Sequence, residues 1–585
     1  MKRIIFGMLA ILLIMSGCSA DESPSGNTIK TLNELTLEEK IGQMIQVERS
    51  AMSLPKIEAL GIGSVLSGGG SVPGNGLISD WNEMMTEYEE ESAGSSSGIP
   101  IIYGIDAVHG NNNVFTATIF PHNIGLGAAN DPELLIKIGK ATAEEMKVIG
   151  AHMNFAPAVS VIRDKRWGRT YEGYSEDPEI VSRLGSAYIE GLKGVGIITT
   201  AKHFIGDGYV EYGTGEGANL IDRGNVVMPL DELMAIYGPV YQSAIDAGVD
   251  AIMVSFSSVG GERMHGNGHL LTTVLREEMN FDGVVISDWE GIHALSGLLE
   301  DQVVKAVNAG IDLLMQPYNG EETYNALLKA VRGGRITEER INEAVSRILK
   351  MKEKAGLLDA ESEASEYKMG SEFAVTVARE AVSKSQVLLK NDSVLPLKEN
   401  QRIYVMGPAS DNIGIQCGGW TVEWQGTMTE EFSWGDSILD AFEQASDFVV
   451  DSPDEADVIV LVIGEKPYAE MFGDTDDASL NGPMSLNGNL KAAELAKTYG
   501  KPVVTLIVAG RPLVIEEHLN DWDALVMSFL PGTEAQGITD VLYGKVPFTG
   551  KLPITWPKKT SGFDITFMDL DRTAEVLFPL GYGLE

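Results

Sequence analysis

The chain has few of the features that mark redox, metal or nucleic-acid chemistry. Only two cysteines, Cys18 and Cys417, occur in 585 residues, which rules out a thiolate metal cluster. Basic residues are scarce, 44 against 84 acidic ones, and the net charge of −40 repels phosphate backbones. No nucleic acid is therefore expected as a partner, and the acidity reads as a well-solvated surface. No HExxH or Cys/His ligand spacing appears, so no metal or cofactor is expected. Glycine-rich stretches at 68–76 (GGGSVPGNG) and 92–98 (SAGSSSG) read as loops, because neither has P-loop or dinucleotide spacing. Beyond the N-terminus no apolar run is long enough to span a bilayer.

What is present is an ordinary globular composition in a chain too long for one core, which predicts two large domains. At the N-terminus, Lys2 and Arg3 precede an apolar run from Ile4 to Met15, right for a signal segment. Met15-Ser16-Gly17-Cys18 resembles a bacterial lipoprotein signal over 1–18, in which Cys18 is lipidated. Plain secretion is the alternative. Residues 19–31 read as a flexible tether, and the expected location is extracytoplasmic. A lipidated Cys18 leaves Cys417 without a disulfide partner, and so large a core needs none.

From 32 to 358, short apolar runs alternate with amphipathic helical patterns. The strand candidates are GSVLS (63–67), IPIIYGID (99–106), HMNFAP (152–157), GIITTAKHF (196–204), DAIMVSF (250–256), GVVIS (283–287) and IDLLMQP (311–317). Helices are expected at Asp231–Ala247 and Thr337–Ala355. This alternation is the signature of an N-terminal (β/α)8 TIM-like barrel. A charged stretch at 359–372 reads as a linker, followed by a second α/β domain over 373–585. That domain starts with a helix near 373–388 and continues through the strands QRIYVMG, DVIVLVIGE, KPVVTLIVAG and ALVMSFLPG.

Polar residues gather where the apolar runs end, the position of sites in α/β folds. Val284, Val285 and Ile286 deliver Ser287, Asp288 and Trp289: a carboxylate able to meet charge at an anomeric carbon, beside a ring able to stack on a sugar. Asp288 as a helix cap is the duller reading. Asp106 and His109 follow another run, Arg163, Arg166 and Arg169 share one loop, and Lys202 and His203 end a third run. The two histidines could equally be satisfied core residues, and the arginines could pair with Glu172, Glu176 and Asp177. A buried ammonium at Lys202 is costly without a partner. In the second domain, Trp420 and Trp424 occupy a glycine-rich loop suited to stacking, though Trp424 could be core. Glu465 sits near a strand and reads as structural, whereas Glu470 is expected on an exposed loop leaning onto the barrel rim. Glycoside cleavage needs two carboxylates flanking the bond. Asp288 and Glu470 are the pair of choice, one per domain, with the site at their interface.

The motifs GIDAVHG, RWGRTYEGYSEDP, TAKHFIGDG, VVISDWEGI, CGGWTVEWQG, GEKPYAE, AGRPLV, LPGTEAQG, FTGKLPITW and FPLGYGL resemble, in order, those of glycoside hydrolase family 3, across essentially the whole chain. The likeness is to two-domain exo-β-glucanases and β-glucosidases. It implies a barrel followed by an α/β sandwich and cleavage with retained configuration. By the same resemblance Asp288 is the nucleophile and Glu470 the acid/base, their carboxyls about 5–5.5 Å apart once the domains close. Asp106, Arg169, Lys202 and His203 match residues that hold the terminal glucose. Trp289 forms a pocket wall, Trp420 clamps the next sugar, and Glu216 supports the His203 region.

Three positions depart from relatives. Phe256 stands where plant members have a tyrosine, and Ala294 where they have an arginine. KHFIGDG lacks the extra histidine of the N-acetylglucosaminidase branch. The expected activity is release of β-D-glucose from non-reducing ends of β-linked glucans and oligosaccharides. The alternatives are the same fold acting on β-xylosides or β-N-acetylglucosaminides, or a non-catalytic sugar-binding lipoprotein.

Overall fold

The computed structural model describes residues 29–359, 366–429, 432 and 434–585. Cys18, the expected signal segment and most of the tether lie outside the described residues, as does part of the expected linker.

Eight short strands build the barrel of the first half: β1 (Ile45–Glu48), β2 (Ser64–Ser67), β3 (Ile102–Ile105), β4 (Met153–Asn154), β5 (Ile198–Phe204), β6 (Ala251–Val254), β7 (Val284–Ile286) and β8 (Leu314–Met315). They pair in parallel in the order β7-β6-β5-β4-β3-β2-β1-β8. A parallel bridge between Ile286 and Leu313 joins the two ends and closes the barrel. Every residue of these strands is buried, because helices cover the outside and side chains fill the inside.

Seven strands fall within the apolar runs read from the sequence. The eighth, β1, does not, because Ile45-Gln46-Val47-Glu48 alternates apolar and polar residues. Its polar side chains are nevertheless buried: Gln46 donates to Ser64 Oγ of β2 at 2.7 Å. The two expected helices form at Leu230–Asp246 and Glu338–Lys354. In the second, Thr337 caps the N-terminus by accepting from the Arg340 amide, Glu338 and Glu339 occupy the first turn, and Lys352 and Lys354 the last. Ile341, Ala344, Val345, Ile348 and Met351 recur at three- and four-residue spacing and face the barrel.

The second half holds a five-stranded sheet: β9 (Val387–Asn391), β10 (Ile403–Met406), β11 (Val458–Gly464), β12 (Val503–Val508) and β13 (Ala524–Met527), ordered β9-β13-β12-β11-β10. Only β9 runs antiparallel. The helix expected near 373–388 ends at Ser385, and Val387–Asn391 is a strand instead. Leucines serve either state, and pairing with Ala524–Met527 decides between them. That helix, Glu372–Ser385, binds the halves together: Ala374, Val377, Ala378 and Ala381 join the barrel core, while Val382 joins the core of the sheet.

Candidate active site

The carboxyl ends of the eight barrel strands open into a cavity of about 380 Å³. Each strand, or a residue one or two positions beyond it, contributes to the lining: Glu48, Leu66, Asp106, Phe155, Lys202 with His203, Met253, Asp288 and Met315. Trp420, Trp424 and Glu470 of the second half complete it.

Asp288 lies two residues beyond β7. Its backbone N–H donates to His265 Nε2 at 3.0 Å, and burial holds that imidazole down at about 3, so it stays neutral. Oδ1 of Asp288 accepts from the Trp289 amide at 2.7 Å. Oδ2 is buried, with no hydrogen-bond partner among the described residues, and lies 3.6 Å from His203 Nε2. Burial raises this carboxyl above the ordinary aspartate range, against the opposing pull of the nearby His203 and Arg169. One oxygen is thus pinned and the other left open.

Glu470 begins a tight turn, Glu470–Gly473, with φ of +52°. The exposed loop expected from Pro467 is corrected: Glu470 is 7% exposed, because the turn is clamped onto the barrel. Arg511, fully buried, donates to the Gly473 carbonyl at 2.6 Å and to the carbonyls of Lys165 and Arg166 at 3.2 and 3.0 Å. Asp474 accepts from the amides of Gly168, Ile221 and Asp222 at 2.8, 2.8 and 2.9 Å. Any side chain at Gly168 would meet the Glu470 carbonyl at 1.9 Å, so only glycine fits there. The Glu470 carboxylate accepts from Arg223 Nη2 at 2.6 Å and lies 3.6 Å from Arg169 Nη1. Glu465 sits outside the cavity, buried against Tyr468 Oη at 2.8 Å and Arg511 Nε at 3.2 Å, a structural placement.

Between the two acids, Lys202 Nζ donates to Asp106 Oδ1 at 3.0 Å, so its ammonium has the partner that burial demands. Arg169 forks onto Glu172 through two 2.8 Å bonds, and its Nη2 is 3.4 Å from His203 Nε2. His203 Nδ1 faces Asp207 Oδ2 at 2.6 Å, and Asp207 Oδ1 accepts from Ser255 Oγ at 2.5 Å. An aspartate at Nδ1 fixes the proton there and turns Nε2 toward the cavity. Trp289 and Trp420 line the cavity, and the Trp420 indole N–H donates to Glu172 at 3.1 Å.

Residues 36–351 match the glycosyl hydrolase family 3 N terminal domain, and residues 386–585 match the family's C-terminal domain. The chain belongs to glycosyl hydrolase family 3. It is 31% identical to a lysosomal beta glucosidase of Dictyostelium discoideum, over 94% of this chain and 75% of that one. It is 28% identical to a periplasmic beta-glucosidase of Salmonella typhimurium, over 94% and 79%. Among solved structures, an exo-1,3/1,4-beta-glucanase from a Pseudoalteromonas species, in a point-mutant form, superposes with a TM-score of 0.89 at 38% identity, covering 96% of both chains. A Listeria innocua beta-glucosidase mutant bound to laminaribiose superposes at 0.80 with 26% identity, covering 94% of this chain and 82% of that one.

Within this family 3 fold, Glu216 does not support His203. Its side chain is 43% exposed and pairs with Arg263 at 3.2 Å. Asp207 holds the imidazole instead, and KHFIGDG contained the signal: the chain doubles back between Gly206 and Gly208, with φ of +103° and +86°, bringing position 207 under position 203. His109 lies outside the cavity, stacked on His122 at 3.7 Å and bonded to Thr421. Arg163 and Arg166 lie outside it too, paired with Asp569 and Asp164. Trp424, by contrast, lines the cavity. Phe256 also lines the cavity and carries the Arg223 guanidinium 4.0 Å above its ring, so this position steadies a cation instead of offering a hydroxyl. Ala294 closes the turn Gly291–Ala294, away from the cavity. Glu48 and Arg223 escaped sequence reading, whereas the pairing of Arg169 with Glu172 was among its alternatives. Glu48 accepts from the Ser50 amide at 2.7 Å and from the hydroxyls of Ser50 and Ser71 at 2.5 Å, an arc of polar groups on one wall.

Proposed function

We propose that this family 3 hydrolase is an exo-acting β-glucosidase, releasing terminal β-linked glucose with retained configuration through a glycosyl ester on Asp288. The observation that carries this reading is the pairing of one open aspartate oxygen from the barrel with a clamped glutamate from the second domain, in a cavity backed by the packed barrel interior. A glucan chain enters such a cavity by its end. Asp106, Lys202, Arg169 and His203 hold the hydroxyls of the terminal ring, so that binding energy from groups remote from the reacting bond favours the distorted transition state. Asp288 Oδ2 attacks the anomeric carbon while Glu470 gives its proton to the departing oxygen. Water, losing its proton to Glu470, then displaces Asp288 and regenerates both groups. Trp289 and Trp420 flank the leaving sugar.

The test is proton NMR of the sugar first released from glucobioses, together with turnover of nitrophenyl β-glucoside, β-xyloside and β-N-acetylglucosaminide. β-Glucose as first product, glucoside preferred, and loss of turnover in Asp288→Asn with unchanged thermal unfolding are expected. α-Glucose as first product, or substantial turnover by that variant, overturns the mechanism. Preference for the xyloside overturns the glucose assignment. The protein's extracytoplasmic location, and its anchoring through lipidated Cys18, rest on Lys2, Arg3, the apolar run from Ile4 and Cys18 itself. Replacing Cys18 is expected to release active enzyme from the membrane fraction.

A further inference from the structure

The glycine run Gly68-Gly69-Gly70 has a role that phosphate binding does not explain. A Cβ on Gly68 would stand 2.7 Å from the Trp289 ring, and one on Gly69 would stand 3.2 Å from the Trp420 ring. The run is therefore a floor on which two aromatic walls rest, one from each domain. The first wall continues from Trp289 to another ring, and the second runs from Trp420 to Trp424, whose carbonyl accepts from the Trp420 amide at 2.9 Å, and on to another ring. Tyr318 packs edge-on to Trp289 at 5.7 Å, and Phe472 packs edge-on to Trp424 at 5.6 Å. Burial falls in step along both walls. Asp288 and Trp420 are 8% and 6% exposed, Trp289 and Trp424 are half-buried, and Tyr318 and Phe472 reach 60% and 59%.

We propose that Tyr318 and Phe472 form a second subsite on the leaving-group side, which takes the third glucose of a β-linked oligosaccharide bound by its non-reducing end. The inference rests on the glucosidase reading above and adds a preference for chain length. Tyr318 lines the cavity and Phe472 packs on Trp424, which lines it, so each exposed ring extends an aromatic face that begins inside. The occupant is the substrate's own chain, because a protein seated on these rings would seal the cavity. An uncharged, hydroxyl-rich chain also suits the rim of a molecule carrying a net charge of −40, which repels anionic ligands. Sugar C–H faces stack on such rings, and the arc of Glu48, Ser50 and Ser71 offers hydroxyl partners on one side.

The experiment compares kcat/KM for nitrophenyl β-glucoside, which ends at the first leaving-group position, with kcat/KM for β-1,3- and β-1,4-glucobioses and glucotrioses. It uses the full chain and its Tyr318→Ala, Phe472→Ala and doubly substituted forms. The unsubstituted enzyme is expected to favour a triose over the matching biose by about tenfold. The doubly substituted form is expected to lose that preference, mainly through KM, with its triose-to-nitrophenyl-glucoside ratio falling by the same factor. Equal rates for biose and triose in the unsubstituted enzyme, or an equal loss on all substrates in the variants, overturns the subsite. No turnover of nitrophenyl glucoside by the unsubstituted enzyme overturns the glucosidase reading, and the subsite with it.

Discussion

Asp207→Asn separates the residue that holds His203 in this structure from the one that motif similarity suggested. Asp207 is buried, which by itself raises its pKa, yet His203 and Arg169 outweigh that and hold the carboxyl below its ordinary range. It is therefore an anion accepting two hydrogen bonds, from His203 Nδ1 at 2.6 Å and from Ser255 Oγ at 2.5 Å. Asparagine keeps the shape but has a single acceptor oxygen. If that oxygen serves Ser255, the amide NH2 faces Nδ1 and forces the imidazole proton to Nε2. That nitrogen would then point an N–H at Arg169 Nη2, 3.4 Å away. A hydrogen bond to a charged partner is worth about 1.5–3 kcal/mol, and each 1.36 kcal/mol is about tenfold in rate. The lost bond alone thus costs roughly 10- to 150-fold in kcat/KM. Inverting the tautomer carries the loss toward the roughly 10⁴-fold known for the same exchange in Ser-His-Asp triads. The assay is kcat/KM on nitrophenyl β-glucoside and a glucobiose, with thermal unfolding as the control for folding. Glu216→Gln, altering an exposed surface pair, is expected to stay within about twofold of the unsubstituted enzyme. An Asp207→Asn enzyme as active as the unsubstituted one, or a Glu216→Gln enzyme equally crippled, refutes this account of how the imidazole is held.

Glu470→Ala is expected to slow glucobiose cleavage by about 10²- to 10⁴-fold while sparing activated aryl glucosides in the first step, with azide restoring the second and yielding β-glucosyl azide. Glu465→Ala leaves Arg511 buried without its carboxylate and is expected to cost about 3–5 kcal/mol in thermal or denaturant unfolding; azide rescue by this variant instead would exchange the two assignments. Asp222 is pushed up to about 7 by burial and by the nearby Glu470 and Asp474 carboxylates. Its folded pKa lies above the unfolded value of about 3.9, so its contribution to stability is full below pH 4 and is lost as the pH rises through about 7. Asp222→Asn retains an acceptor for the Trp167 indole N–H at 2.9 Å and is expected to flatten that decline in melting temperature between about pH 4 and 7; parallel curves for the two proteins would refute it.

The legible parts of the chain are those in which local pattern and tertiary environment agree. β7 and β5 are apolar runs that end on Asp288 and on Lys202–His203, and the cavity these residues line lies where the runs stop. β1 is illegible because a barrel interior accepts polar side chains that pair across strands, so Gln46 and Glu48 break the apolar signal without breaking the strand. β9 is illegible because its leucines serve a helix as well, and its partner strand lies more than a hundred residues away. Asp207 and Glu216 differ in kind: one is placed by a glycine-bounded turn readable over five residues, the other by motif similarity alone.

The burial of Glu470 is the least accessible feature, and the cause lies in how its turn is held. Arg511, Asp474 and Gly168 are far apart in sequence, and none touches the sugar's expected position. Yet together they bind the Glu470 turn to the barrel loop that also carries Arg169. The Glu470 carboxyl is thus held in place by contacts that join the two halves. Loosening that contact would leave the barrel and Asp288 intact but free the Glu470 turn, so damage at Arg511 should fall on proton transfer to the leaving group before it falls on attack at the anomeric carbon. On the proposed mechanism, the glycine at 168 and the arginine at 511 act as positioning residues for Glu470, although neither carries a proton to the substrate.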